Sequence, residues 1–165
     1  MYLTGMRGSG KSSIGREIAK ILNYDFVDSD EEIEQQENSE ISQIVKEKSW
    51  FYFRKKEKYV IRRLAKKRQT VIATGGGVIL DNENVKALKK HGKIVFLNAP
   101  IEVLEKRIKN DENRPPLTKQ KSLKEELEEL WAKRKEKYLA SADFEFDSNA
   151  DLSLNEKAQQ IIQQL

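Results

Sequence analysis

Gly5-Met6-Arg7-Gly8-Ser9-Gly10-Lys11-Ser12 follows the short apolar start Met1-Tyr2-Leu3-Thr4 and precedes a stretch with Ile14, Ile18, Ile21 and Leu22. The octapeptide satisfies G-x-x-x-x-G-K-[ST] at every fixed position, and its flanks read as a strand before and an amphipathic helix after. Each part has a chemical reason. Glycines let the backbone turn its N–H groups toward phosphate oxygens, and the helix N-terminus adds partial positive charge. Lys11 supplies a point charge for the β- and γ-phosphates, and the Ser12 hydroxyl is a ligand suited to Mg²⁺. The motif therefore predicts a nucleotide phosphate site and does not by itself separate a kinase from an ATPase.

Outward from this loop, apolar β-type runs alternate with helical patterns, which predicts an α/β domain with a mostly parallel sheet. Strands are expected at 1–4, 25–29, 70–74, 93–98 and 144–146. Helices are expected over about 30–37, 50–65, 83–90, 101–109 and 122–138, with a last one at 155–165. Ser39 is read as the cap of a further short helix carrying Ile41, Ile44 and Val45. The polar stretch 110–121, with Arg114-Pro115-Pro116, reads as a loop. No repeat or linker divides the chain, so 1–165 is expected to be one domain.

Composition narrows the function classes. There are 165 residues, no cysteine and one histidine, His91, which leaves no disulfide and no cysteine- or histidine-based zinc site. No apolar run is long enough for a membrane span, and a phosphate loop starting at Gly5 leaves no room for a signal peptide. A cytoplasmic protein is expected. The 31 Lys and Arg exceed the 27 Asp and Glu by 4, and the charges are mixed along the chain. That excess suits anionic small ligands and is too dispersed to argue for nucleic acid.

Charges at positions that ought to be apolar are the next signal. In the helix from Trp50 the stripe Trp50, Phe53, Val60, Ile61, Leu64 is completed by Arg54 and Glu57. In the helix from Leu123, Arg134 shares a stripe with Leu123, Leu127, Leu130, Trp131 and Tyr138. An inward charge is costly unless paired or liganded, and arginine grips a carboxylate bidentately. Long side chains can instead snorkel to solvent. Two such arginines in a nucleotide-binding domain favour an anionic acceptor. Asp28 and Asp30, at the end of the second strand, are placed for Mg²⁺ and for an attacking hydroxyl; helix capping is the competing explanation of Asp30. Gly75-Gly76-Gly77 after a strand allows close backbone approach to a ligand or serves as a flexible turn. Arg114 is either a lid over the γ-phosphate or a solvated loop arginine.

Taken in order, Gly-Ser-Gly-Lys-Ser (8–12), Phe-Val-Asp-Ser-Asp (26–30), Phe-Arg-x-x-Glu (53–57), the triple glycine (75–77), Arg-Pro (114–115) and Arg134 with Tyr138 resemble the shikimate kinases over essentially the whole chain. The resemblance implies a single-domain P-loop kinase of nucleoside monophosphate kinase type with a five-stranded parallel sheet. It implies ATP-dependent phosphorylation of the shikimate 3-hydroxyl, on the route to aromatic amino acids, by a monomer with Mg²⁺. ATP contacts are implied at Gly8, Ser9, Gly10, Lys11, Ser12, Ser13, Arg107 and Arg114. Mg²⁺ contacts are implied at Ser12 and Asp28, and catalytic roles at Lys11, Asp30 and Arg114. Shikimate contacts are implied at Asp30, Arg54, Gly75, Gly76, Gly77 and Arg134, with Glu57 orienting Arg54. The acceptor helices fall at about 31–65 and the lid at about 110–121. Two departures stand out: Ser49-Trp50 replace the family's frequent Gly-Glu, and Pro116 follows the lid Arg-Pro. The nearest rival is another small-molecule kinase, such as a gluconate kinase; a nucleic-acid-associated ATPase or a nucleotide switch is the competing class.

Overall fold

The computed structural model describes residues 1–109 and 122–165. Five strands, β1 Tyr2–Thr4, β2 Asp25–Asp28, β3 Thr70–Ala73, β4 Ile94–Asn98 and β5 Phe144–Asp147, form one sheet in the order β2-β3-β1-β4-β5. Every pairing is parallel. Helices α1 Lys11–Leu22, α2 Ser29–Glu37, α3 Ile41–Lys48, α4 Trp50–Leu64, α5 Asn82–His91, α6 Ile101–Lys109, α7 Leu123–Ser141 and α8 Leu154–Gln163 complete the described chain. The sheet is the one expected.

Burial of the three inner strands β1, β3 and β4 on both faces explains why they read as apolar runs, whereas the edge strand β5, Phe-Glu-Phe-Asp, alternates. β1, the middle strand, is three residues long and wholly buried. Its alternate side chains enter opposite cores. Tyr2 joins Ile72 and Ile94 beneath α2, α3, α4 and α5, where Ile33, Ile44, Val60, Ile61 and Leu88 close the layer. Leu3 joins Val71, Val95 and Leu97 against α1 and α8, through Ile14, Ile18, Ala158 and Ile161. A third cluster puts Phe96 against Met6, Leu104, Ile108, Leu127 and Tyr138, which seats α6 and α7.

Register sets the position of the site. Leu3 and Asp28 both pair with Ala73, so the residues that leave β1, β2 and β3 stand level at one edge of the sheet. Those residues are Gly5, Ser29 and Thr74-Gly75.

Three local expectations are corrected. β2 ends at Asp28, because Ser29 already belongs to α2 and its buried hydroxyl accepts a hydrogen bond from the Gly75 N–H at 2.9 Å. Ser39 does not cap α3. Glu40 holds the cap position, and the Glu34 carboxylate reaches across to accept from the Ile41 N–H at 3.0 Å. The triple glycine runs into a 3₁₀ turn, Val78–Leu80, that the sequence did not announce. Ser122 caps α7 as expected, in a reciprocal capping box with Glu125, and Ser153 with Glu156 repeats the device at α8.

Candidate active site

The phosphate loop is built around backbone that only glycine adopts cheaply. Gly8 and Gly10 have φ of +81° and +86°, in the left-handed region. Gly10 occupies the N-cap of α1 without a side-chain cap, so the first N–H groups of α1 are left for a ligand at its N-terminus. Lys11 curls back over the loop, its Nζ donating to the carbonyls of Gly5 at 3.2 Å and Met6 at 2.9 Å. Beside it the Ser12 hydroxyl donates to Asp28 Oδ2 at 2.7 Å. The other oxygen of Asp28 accepts from the Asp30 N–H at 3.0 Å and caps α2. The capping role weighed for Asp30 thus belongs to Asp28, and the Asp30 side chain lies elsewhere.

It lies against the triple glycine. A Cβ on Gly75 would stand 2.3 Å from Asp30 Oδ1, and one on Gly77 would stand 2.4 Å from Arg54 Nη1. None of the three has a positive φ, so what glycine supplies at 75 and 77 is room for the Asp30 and Arg54 side chains rather than backbone freedom. Gly76 lies between them, and its carbonyl accepts from Arg134 Nη1 at 3.2 Å and from the Tyr138 hydroxyl at 2.6 Å. A Cβ there would be 3.3 Å from the Gly5 carbonyl. One turn therefore gathers Asp30 from α2, Arg54 from α4 and Arg134 from α7, and abuts the phosphate loop.

Burial and charge act together here. Glu57 is 2% exposed, and both its oxygens accept from Arg54 Nη1 at 2.7 Å. Burial pushes the Glu57 carboxyl up from its ordinary value; Arg54, and more weakly Arg134, pull it back. Tyr138 is fully buried, its ring stacked on Phe96 with centroids 4.9 Å apart, and burial raises its phenol against the pull of Arg134 and then Arg54. Neither arginine snorkels away: both stay half-buried on the turn. Trp50 and Phe53 line Arg54, with ring centroids 5.3 and 5.2 Å from its guanidinium carbon.

A cleft of about 450 Å³ opens on the other side of the phosphate loop. Gly8, Gly10, Lys11, Ser12, Ser13 and Arg107 line it, while Ser9 is fully buried within the loop. Arg107 ties the loop to the turn after β5: Nη1 donates to the Gly8 carbonyl at 3.2 Å and Nη2 to the Ser148 carbonyl at 3.1 Å. Sequence reading missed Arg7, Ser148, Leu154 and Lys157, which also line the cleft. The last three lie at the far end of the chain in no motif; the pairing of β5 with β4 brings Ser148 here, and the packing of α8 on α1 brings Leu154 and Lys157. Arg114 lies outside the described residues, as does the whole 110–121 segment. Among the described residues no group of three or more acidic, cysteine or histidine side chains forms a metal cage, and no helix is long and apolar enough to cross a membrane.

Against known proteins, a family model described as shikimate kinase matches residues 7–165. The shikimate kinase of Persephonella marina is 42% identical over 143 residues, which cover 87% of this chain and 85% of that protein. The bifunctional shikimate kinase/3-dehydroquinate synthase of Thermotoga maritima is 46% identical over 138 residues; the match covers 84% of this chain and 27% of that much longer protein. Among solved structures, shikimate kinase from Acinetobacter baumannii in complex with shikimate superimposes with a TM-score of 0.92 at 34% identity, covering 99% of this chain and 90% of that one.

Proposed function

The chain belongs to the shikimate kinase family, and from that premise we propose how its residues divide the labour of transferring the γ-phosphoryl group of ATP to shikimate, with shikimate 3-phosphate and ADP as products. The observation that carries the assignment is the convergence of Asp30, Arg54 and Arg134 on the Gly75–Gly77 turn, which itself abuts the phosphate loop. One neighbourhood thus holds a phosphate cradle, two arginines and a carboxylate.

Lys11 and the N–H groups of residues 8–13 bind the triphosphate and offset charge that builds on it during transfer. Ser9 shapes the loop from within. Arg54 and Arg134 grip the acceptor's carboxylate, with Glu57 holding the Arg54 fork in place. The turn at 75–77 forms the acceptor's floor. Asp30 holds the attacking hydroxyl and receives its proton as the oxygen bonds to the γ-phosphorus. Most of the rate enhancement in this scheme is positioning and fixed charge.

The Ser12–Asp28 pair is a set of hard oxygen donors beside the phosphate loop, which fits Mg²⁺. Bound there with ATP, the ion supplies positive charge to the β- and γ-phosphates. Arg114 is assigned to the γ-phosphate from the resemblance, with 110–121 as the lid that excludes water. Residues 1–165 are read as one domain, and the enzyme as a cytoplasmic monomer.

An ADP-release assay with Mg-ATP, with and without shikimate and with gluconate as control, tests the assignment. Stimulation by shikimate alone is expected. Folded protein that binds ATP yet shows no stimulation by shikimate would overturn it.

A further inference from the structure

Lys157 belongs to no motif, yet it lines the nucleotide cleft from α8, one turn in from that helix's N-terminus. Its position is well anchored. Asn155 Nδ2 donates to Glu17 Oε1 at 3.0 Å, docking the first turn of α8 on α1. Lys157 Nζ then donates to the Ser148 carbonyl at 3.0 Å, the same oxygen that accepts from Arg107 Nη2 at 3.1 Å. The two nitrogens are therefore at most about 6 Å apart. Neither side chain forms an ion pair with a carboxylate among the described residues. Elsewhere this protein pairs partly buried cations with carboxylates: Lys58 has Asp81 and Glu83, and Arg54 has Glu57.

Two like charges converging on one neutral oxygen repel each other, and the carbonyl dipole offsets only part of that repulsion. An anion entering the cleft would reverse the sign of the interaction. Arg107 also touches the Gly8 carbonyl of the phosphate loop, so the pair stands at the edge of the phosphate cradle rather than remote from it.

We propose that Lys157 and Arg107 form a cation pair that raises affinity for a nucleoside di- or triphosphate, and that Lys157 is a nucleotide-binding residue of this chain. The inference rests on the kinase reading above. It assigns to α8 a share of nucleotide affinity that the loop residues alone do not hold. Because Lys157 lies on the nucleotide side of the loop, its contribution falls on the nucleotide and not on the acceptor.

The test is calorimetric titration of the full chain with ADP in the presence of Mg²⁺, using wild type, Lys157→Met and Lys157→Arg. Lys157→Met, which keeps the apolar stem, is expected to weaken ADP binding about tenfold, the scale of one charge-assisted hydrogen bond. Lys157→Arg is expected to restore most of the loss, and shikimate KM to stay unchanged. In the free protein the melting temperature of Lys157→Met is expected to hold or rise, since a like-charge contact is removed. Unchanged ADP affinity in Lys157→Met would overturn the inference alone. Weaker affinity accompanied by a lower melting temperature would also overturn it, because Lys157 would then be a structural clamp on the Ser148 turn. Wild-type protein that does not bind ADP would overturn both this inference and the kinase reading.

Discussion

Arg54 shows how much a single side chain depends on its neighbours here. Its guanidinium lies against Gly77 and is held by Glu57. A methyl group at 77 would intrude on the far end of this long side chain rather than on backbone, so the fold can absorb it while the arginine cannot stay put. Gly77→Ala is expected to leave the melting temperature nearly unchanged and to raise shikimate KM about tenfold or more, as measured by steady-state kinetics, since a misplaced charge-assisted contact costs about 1.5–3 kcal/mol. Arg134→Ala is expected to act the same way, mainly on acceptor KM; unchanged acceptor kinetics would remove its assigned role. Lys11→Met is expected to abolish transfer in the ADP-release assay. Lys11 was legible because it completes the phosphate-loop motif, and Gly77, Arg54 and Arg134 because each broke a pattern: a glycine run after a strand, or a charge on an apolar stripe. Tyr138 completed a stripe instead of breaking it, so its hydroxyl contact with Gly76 was visible only once α7 was docked.

At the level of elements, α3 and α4 are joined under strain, and α2 is pinned to both by charge. Ser49, between α3 and α4, has φ +88° and ψ 160°, a conformation that is essentially glycine's alone and costs other residues about 1–3 kcal/mol. Its hydroxyl recovers little, accepting from the Tyr52 N–H at a long 3.5 Å. Ser49→Gly is expected to stabilise the protein by about 1 kcal/mol, read as a rise of about 2–4 °C in melting temperature. Here the family's frequent glycine has a physical reason that the sequence alone left open. At the end of α2, Glu37 accepts from Lys48 of α3 at 2.9 Å and from Tyr52 of α4 at 2.9 Å, and it pairs with Lys56 of α4 at 2.7 Å. Hydrogen bonds from Lys56, then Lys48, hold its carboxyl down at about 2. A depressed carboxyl contributes stability that is present above its ordinary value of 4.5 and is lost as pH falls toward 2. Glu37→Gln is therefore expected to lower the melting temperature at pH 7, with the difference from wild type shrinking between pH 4.5 and pH 2. A difference that stays constant across that range would show that Glu37 does not carry the linkage.

For the molecule as a whole, the sheet order puts β1 between β3 and β4, and the ends of β1, β2 and β3 stand level, which brings the phosphate loop, Asp28 and the triple glycine together. A ligand held at 100 times its Kd adds about 2.7 kcal/mol to stability. Saturating ADP with Mg²⁺ is accordingly expected to raise the melting temperature of wild type by several degrees, and shikimate to add its own increment. The phosphate loop, the alternation of strand and helix, and the inward arginines were all determined by the sequence, because each is a local pattern of backbone freedom, periodicity or misplaced charge. Which aspartate caps α2, which side chains a Cβ at Gly75 or Gly77 would displace, and the arrival of Ser148 and Lys157 beside the phosphate loop were decided only by tertiary structure. Those features depend on contacts between segments as many as 138 residues apart, as between Glu17 and Asn155, and such distances are set by sheet register and helix docking rather than by any local run of residues.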